Sequence, residues 1–192
     1  MRRETRGLAA CLALSSCMPS ASGEGMVPRD IPGAIHARHF SGFREPPLWT
    51  PQAARGYRTR LRVTASGIAY LRGSVRIDEH ADGRLAGHLV VIEGREAERT
   101  ARPFRPTRGE LQELLRIAEE GRIWTIYPEY WGPAGVDSIC VDGIEFVLER
   151  VDARGYRFSR ANVQCGAPYA FRRLAERIFE IAGEEQLKRL LR

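Results

Sequence analysis

The apolar period of this chain switches three times between residues 57 and 183, and that switching restricts the fold more than any other feature. "YRTRLRV" sets Tyr57, Thr59, Leu61 and Val63 against Arg58, Arg60 and Arg62. Alternation of this kind is expected of a strand with one wet face. "SVRID" and "RLAGHLVVIEG" read as the next strands, joined across "EHADGR", where Asp82-Gly83 is a turn signal. "RTARPFRP" is extended too, and Pro103 and Pro106 confine it to a sheet edge.

At Thr107 the period lengthens to that of a helix. Thr107 and Glu110 have capping-box spacing, Leu111, Leu114, Leu115 and Ala118 make one apolar face, and Gly121 is the expected C-cap. Near the end, Phe171, Leu174, Ala175, Ile178, Phe179 and Ala182 follow helical spacing, with Gly183 as the stop. "EEQLKRLLR" can add a short terminal helix. No internal repeat is evident. The expected fold class is α+β: an antiparallel sheet of about five or six strands with two main helices packed on it, closing with a hairpin and then a helix.

Between the two helices, "IEFVLER" and "YRFSRAN" pair as that hairpin around the loop "VDARG". In this register Arg150 faces Tyr156, Leu148 faces Phe158 and Glu149 faces Arg157. Cys140 then falls one position short of Cys165, and a bulge at Asp142-Gly143 would align them. A Cys140–Cys165 disulfide closing that loop would stabilise by roughly 3–4 kcal/mol. Two buried free thiols are the alternative. A zinc site fits poorly, because two cysteines so far apart lack close ligand spacing.

The N-terminus has the order of an export signal: Arg2, Arg3 and Arg6, an apolar stretch from Gly7 to Leu14, then small residues. The apolar run is too short to span a bilayer, which takes about 20 residues. "LSSC", Leu14 to Cys17, resembles the lipobox of bacterial lipoproteins. That resemblance implies that Cys17 becomes the lipidated first residue of the mature chain, and Met18 after it implies outer-membrane sorting. "LAAC", ending at Cys11, lies too near the charged start. Cleavage near "SASG", leaving a soluble periplasmic protein, is the alternative. An exported chain meets the oxidising conditions that a disulfide needs.

The expected organisation is therefore a signal over 1–16, a Pro/Gly/Ser-rich tether over 17–55 and one α+β domain over 56–192. The later part of the tether carries Phe40, Phe43 and Trp49, which suggests docking on the domain.

Charge gives little direction. The formal balance is +6 with a pI near 9.5, but only one of the 30 basic residues, Lys188, is lysine. Removing 1–16 leaves 27 basic and 23 acidic residues, a balance of +4. The arginines are scattered among acids, unlike a phosphate-tracking stripe, so nucleic acid is not an expected partner.

Motifs of catalysis are absent from the sequence: no G-x-S-x-G elbow, no P-loop and no dinucleotide fingerprint. His88 with Ser138, Asp142 and Glu149 could be imagined as a hydrolase set, but nothing in the sequence joins them. His36 and His39 sit in the tether without further metal ligands, and His80 borders a turn. No catalytic residue, metal or cofactor is expected. The most suggestive stretch is "IWTIYPEYWGPAG", where Tyr127, Tyr130 and Trp131 are candidates for partner contact and Trp124 for the core. Covering a sheet edge is the other role open to Tyr130 and Trp131.

A second resemblance lies in "DGIEFVLERVDARGYRFSR". Asp142, Gly143, Phe146, Leu148, Glu149, Gly155, Tyr156 and Arg160 are similar to a pattern in small uncharacterised bacterial envelope proteins. The resemblance implies architecture and brings no activity. The expectation is a lipid-anchored, periplasm-facing envelope protein, a binding or structural domain whose partner is the membrane through its anchor and an envelope protein or cell-wall component. The alternative is a small periplasmic hydrolase.

Overall fold

A computed structural model describes residues 41–66, 71–94, 96–125, 129–130, 144–162 and 167–191. Its centre is a sheet of β1 (Tyr57–Ser66), β2 (Leu71–His80), β3 (Leu85–Glu93), β4 (Glu98–Phe104), β5 (Glu129–Tyr130), β6 (Glu145–Asp152) and β7 (Gly155–Asn162). The strand order is β4-β3-β2-β1-β6-β7-β5. Six strands are mutually antiparallel, and the two-residue β5 joins β7 in parallel at the far edge. The helices are α1 (Pro51–Ala54), α2 (Arg108–Glu120), α3 (Tyr169–Ile181) and α4 (Glu185–Arg189). The α+β architecture is thus as the apolar periods predict, with the proline-bearing β4 at one edge.

Alternation along each strand divides the sheet into two faces. One face carries Leu61, Val63 and Ala65 of β1, Val75 and Ile77 of β2 and Phe146 and Leu148 of β6. These pack with Leu111, Leu114, Ile117 and Ala118 of α2 and Phe171, Leu174, Ala175, Ile178 and Phe179 of α3 in one buried cluster. The capping box is formed: the Glu110 amide donates to Thr107 Oγ1 at 3.2 Å, and the Thr107 amide donates to Glu110 Oε2 at 2.7 Å. Gly183, with φ of 66°, takes the left-handed turn that ends α3.

Gly121 is the C-cap of α2, but its φ of −76° is ordinary and the left-handed residue is Arg122. A different constraint asks for glycine at 121. A Cβ built there would lie 2.2 Å from the Cβ of Ala170, which begins α3, and 3.0 Å from the Ile117 carbonyl. Contact at that range forces one helix off the other. Gly121→Ala should therefore cost about 1–3 kcal/mol in urea unfolding. Gly109→Ala, in the first turn of the same helix with open space around it, should stabilise by about 0.5–1 kcal/mol. Equal effects at the two positions would contradict the close approach.

Two expectations about the strands need correction. The arginines of β1 do not make a wet face: Arg60 is 5% exposed and Arg62 is fully buried. Residues 41–55 cover them, and Arg62 and Arg60 donate to the carbonyls of Pro46 and Ala53. The β6–β7 register is also one residue away from that expected. Asp152 pairs with Gly155, so Leu148 faces Ser159 and Glu149 faces Phe158. The turn tightens because Asp152 Oδ1 accepts the Arg154 amide at 2.8 Å and Gly155 adopts φ of 100°. Cys140 and Cys165 lie outside the described residues, as does Cys17.

Candidate functional site

The second face of the sheet buries Val90, Ile92, Val147 and Val151 and, among them, a layer of charged side chains. One row crosses it from β3 to β6: His88, Arg76, Arg62 and Glu149 are successive cross-strand partners. A parallel row begins with Asp78 beside Arg60. Two guanidiniums side by side repel, and burial sharpens the repulsion, so Arg62 and Arg76 require carboxylates close by.

Three carboxylates meet that need. Arg62 Nε donates to Glu149 Oε2 at 2.5 Å, with both side chains fully buried. Arg60 grips Asp78 with two bonds of 2.8 and 3.2 Å, and Arg76 Nε lies 3.0 Å from the same carboxylate. Glu45, only 2% exposed, touches Arg76 and places Oε2 3.8 Å from Arg62 and Oε1 2.6 Å from His88 Nδ1. Three cations and three anions balance with a neutral histidine.

Glu45 arrives on the segment before β1. Phe43 packs with Val90 and Ile92 in a small second core, and the Phe43 carbonyl accepts from Arg99 at 3.1 and 3.3 Å. Leu48 is fully buried a few residues on. The 41–55 strap is thus held by apolar anchors and by the ion network beneath it. The aromatics of this segment point in sequence to Phe43 as an anchor, and nothing local marks Glu45.

Tyr156, beside Val151 on β7, donates its hydroxyl to Glu149 Oε1 at 2.9 Å. Burial first, then the Glu149 charge and that hydrogen bond, push the phenol well above its ordinary 10.0. The folded state therefore holds Tyr156 neutral while an unfolded chain ionises it. Its stabilising contribution is present below pH 10 and lost as pH rises beyond it. Tyr156→Phe should lower stability by about 1 kcal/mol at neutral pH. The same variant should lose stability less steeply between about pH 9 and 11 in urea titrations, and an unchanged slope would contradict the assignment.

At His88, burial and then the charges of Arg76 and Arg99 lower the pKa, with Asp78 opposing them. The Glu45 carboxylate is already shared with Arg62 and Arg76, which weakens its pull on a proton. A neutral imidazole donating from Nδ1 to Glu45 carries its lone pair on Nε2.

The residues singled out from the sequence are mostly not gathered here. Tyr127, Trp131, His36, His39, Ser138 and Asp142 lie outside the described residues. Tyr130 contributes its backbone to β5 beside Ala161 of β7, a place on the sheet edge. Trp124 packs partly buried against the main core, as expected. His80 lies against Tyr57 with ring centroids 4.8 Å apart and the planes tilted by 39°. His88 and Glu149 stand three strands apart, about 14 Å at ordinary strand spacing, and so do not form a catalytic pair.

Among the described residues, no group of three or more His, Cys, Asp or Glu is placed to hold a metal ion. The sequence did hold a signal for the polar layer: Arg60 and Arg62 share one parity of β1, Arg76 and Asp78 one parity of β2, and Glu145 and Glu149 one parity of β6. No protein family model matches this chain, and no curated protein matches it.

Proposed function

We propose that this protein is exported and held at the cell envelope, facing the periplasm, by a lipid on Cys17, and that its domain is a non-catalytic binding or structural module. The observation that carries the reading is the N-terminal order of Arg2, Arg3 and Arg6, a short apolar stretch and "LSSC". The network beneath the strap adds support. Its ionisable groups are spent on one another, which suits a clasp better than a reaction centre. The strap is also where a chain rising from an N-terminal anchor meets the sheet, so tension on a tether would be taken up there. Among the described residues no helix is long and apolar enough to cross a membrane. The partner is an envelope protein or cell-wall component, met through Tyr127, Tyr130 and Trp131, with Cys140 and Cys165 joined as a disulfide.

Mass analysis of membrane-extracted protein tests the anchor. A lipid-modified N-terminus at Cys17 is expected, and a mature start near residue 22 or a retained leader overturns it. Peptide mapping without reduction should recover Cys140 linked to Cys165.

One observation favours a second reading, the small periplasmic hydrolase. Glu45 orients an imidazole that is about one-third exposed and unprotonated, the arrangement of a general base. Turnover of p-nitrophenyl acetate that disappears in His88→Ala would establish it; a rate unchanged by that substitution would dismiss it.

A further inference from the structure

Where β6 turns into β7, on the helical face, three arginines converge on two carboxylates. Arg150 and Arg157 are direct cross-strand partners, and Arg154 lies in the turn between them. A single oxygen, Glu119 Oε1, accepts from Arg150 at 2.8 Å, Arg157 at 3.0 Å and Arg154 at 3.2 Å. Asp152 Oδ2 lies 2.7 Å from both Arg150 and Arg157 and 3.7 Å from Arg154.

Among the described residues the cluster is one negative charge short. It is also short of acceptors there: Arg150 Nε, Arg157 Nε and Trp124 Nε1 are buried donors without a hydrogen-bond partner among the described residues. The Arg157 guanidinium lies 5.3 Å from the Trp124 ring centre, so the three donors share one neighbourhood. Arg150 is 92% buried, leaving 8% of its side chain exposed. Burial first, then repulsion from Arg157, lowers the Arg150 pKa despite Asp152 and Glu119 nearby.

Glu119 is the member that can leave. It stands in the last turn of α2, where the helix dipole disfavours an acid, and its side chain is 46% exposed. Asp152, at 7%, stays. With Glu119 swung out, three guanidiniums and one carboxylate carry two net positive charges, the match for a phosphate monoester or inorganic phosphate. Guanidiniums approaching from β6, the turn and β7 suit a tetrahedral group with several oxygens better than a planar carboxylate.

The geometry points to Arg150, Arg154 and Arg157, with Trp124 beside them, as a phosphate-binding site whose resting occupant is the Glu119 carboxylate. The site is independent of export, so its failure and that of the lipid anchor are read separately.

Calorimetric titration of the full-length protein with inorganic phosphate at fixed ionic strength tests it. Wild-type protein should bind. Glu119→Gln, which removes the internal competitor while keeping its shape, should bind about tenfold more tightly. Arg154→Gln, a surface substitution that leaves the core alone, should weaken binding about tenfold. A purely structural cluster would give no phosphate-specific heat in any of the three, or no tightening in Glu119→Gln, and either result overturns the proposal. Co-sedimentation with phosphatidic acid vesicles separates the sources. Pelleting lost in Arg154→Gln identifies a lipid headgroup, and solution binding without pelleting identifies a free phosphate compound.

Discussion

Glu149→Ala should lower the free energy of unfolding by about 3–5 kcal/mol, because it strands a buried guanidinium. Arg62 is fully enclosed and has Arg76 as its neighbour on the other side. Removing Glu149 deletes its closest carboxylate and also the acceptor of the Tyr156 hydroxyl. Glu45, 3.8 Å from Arg62, is already committed to Arg76 and His88. Urea unfolding at matched denaturant slope measures the loss. High salt should change it little, since a pair excluded from solvent is poorly screened. The double variant Arg62→Met with Glu149→Leu should recover most of the stability, as apolar replacements of buried pairs often do. A loss under about 1 kcal/mol for Glu149→Ala would mean that the strap does not seal this face.

Phe179→Ala should cost a similar amount, about 3–5 kcal/mol, by a different mechanism. The side chain is fully buried, and its ring lies 6.0 Å from that of Phe146, tilted 47°. This pair connects α3 to β6 near the middle of the sheet. Truncation loses apolar burial and leaves a cavity between rigid elements that cannot close over it. Thermal unfolding reads the loss, and near-ultraviolet circular dichroism reads the loosened packing. Tyr169, 78% exposed at the start of the same helix, serves as the reference: Tyr169→Ala should shift stability by less than about 0.5 kcal/mol. Comparable losses at the two positions would contradict the packing described.

Within α2 and α3, nearly everything that matters could be read locally. The buried positions Leu111, Leu114, Leu174 and Ile178 recur at helical spacing, and Thr107 with Glu110 marks a start that needs no distant partner. Gly121 marks a helix end in the sequence, yet its reason is Ala170, nearly fifty residues on. The β6–β7 register is not legible because a five-residue loop and a tight turn fit the same letters. The Asp152–Arg154 hydrogen bond and the left-handed Gly155 select the tight turn.

The candidate site was legible in parts only. Arg60 and Arg62 stood out as one parity of a strand, but a polar parity looks the same in sequence whether water or protein covers it. Glu45 gave no sign at all, since its meaning depends on where Phe43 and Leu48 hold the strap.

Alone, the sequence determined the succession of β1 to β4, α2, β6, β7 and α3, the apolar face of each helix and the edge position of β4, because hydrophobic period and capping act over a few residues; α1 and β5 carry no such period. Only the tertiary structure decided that Arg62 and Glu149 are buried together, that Glu45 reaches His88, and that three arginines share Glu119. Those are Coulombic and steric relations between residues 31 to 87 positions apart, and the energies depend on exclusion from water, which no single segment can arrange for itself.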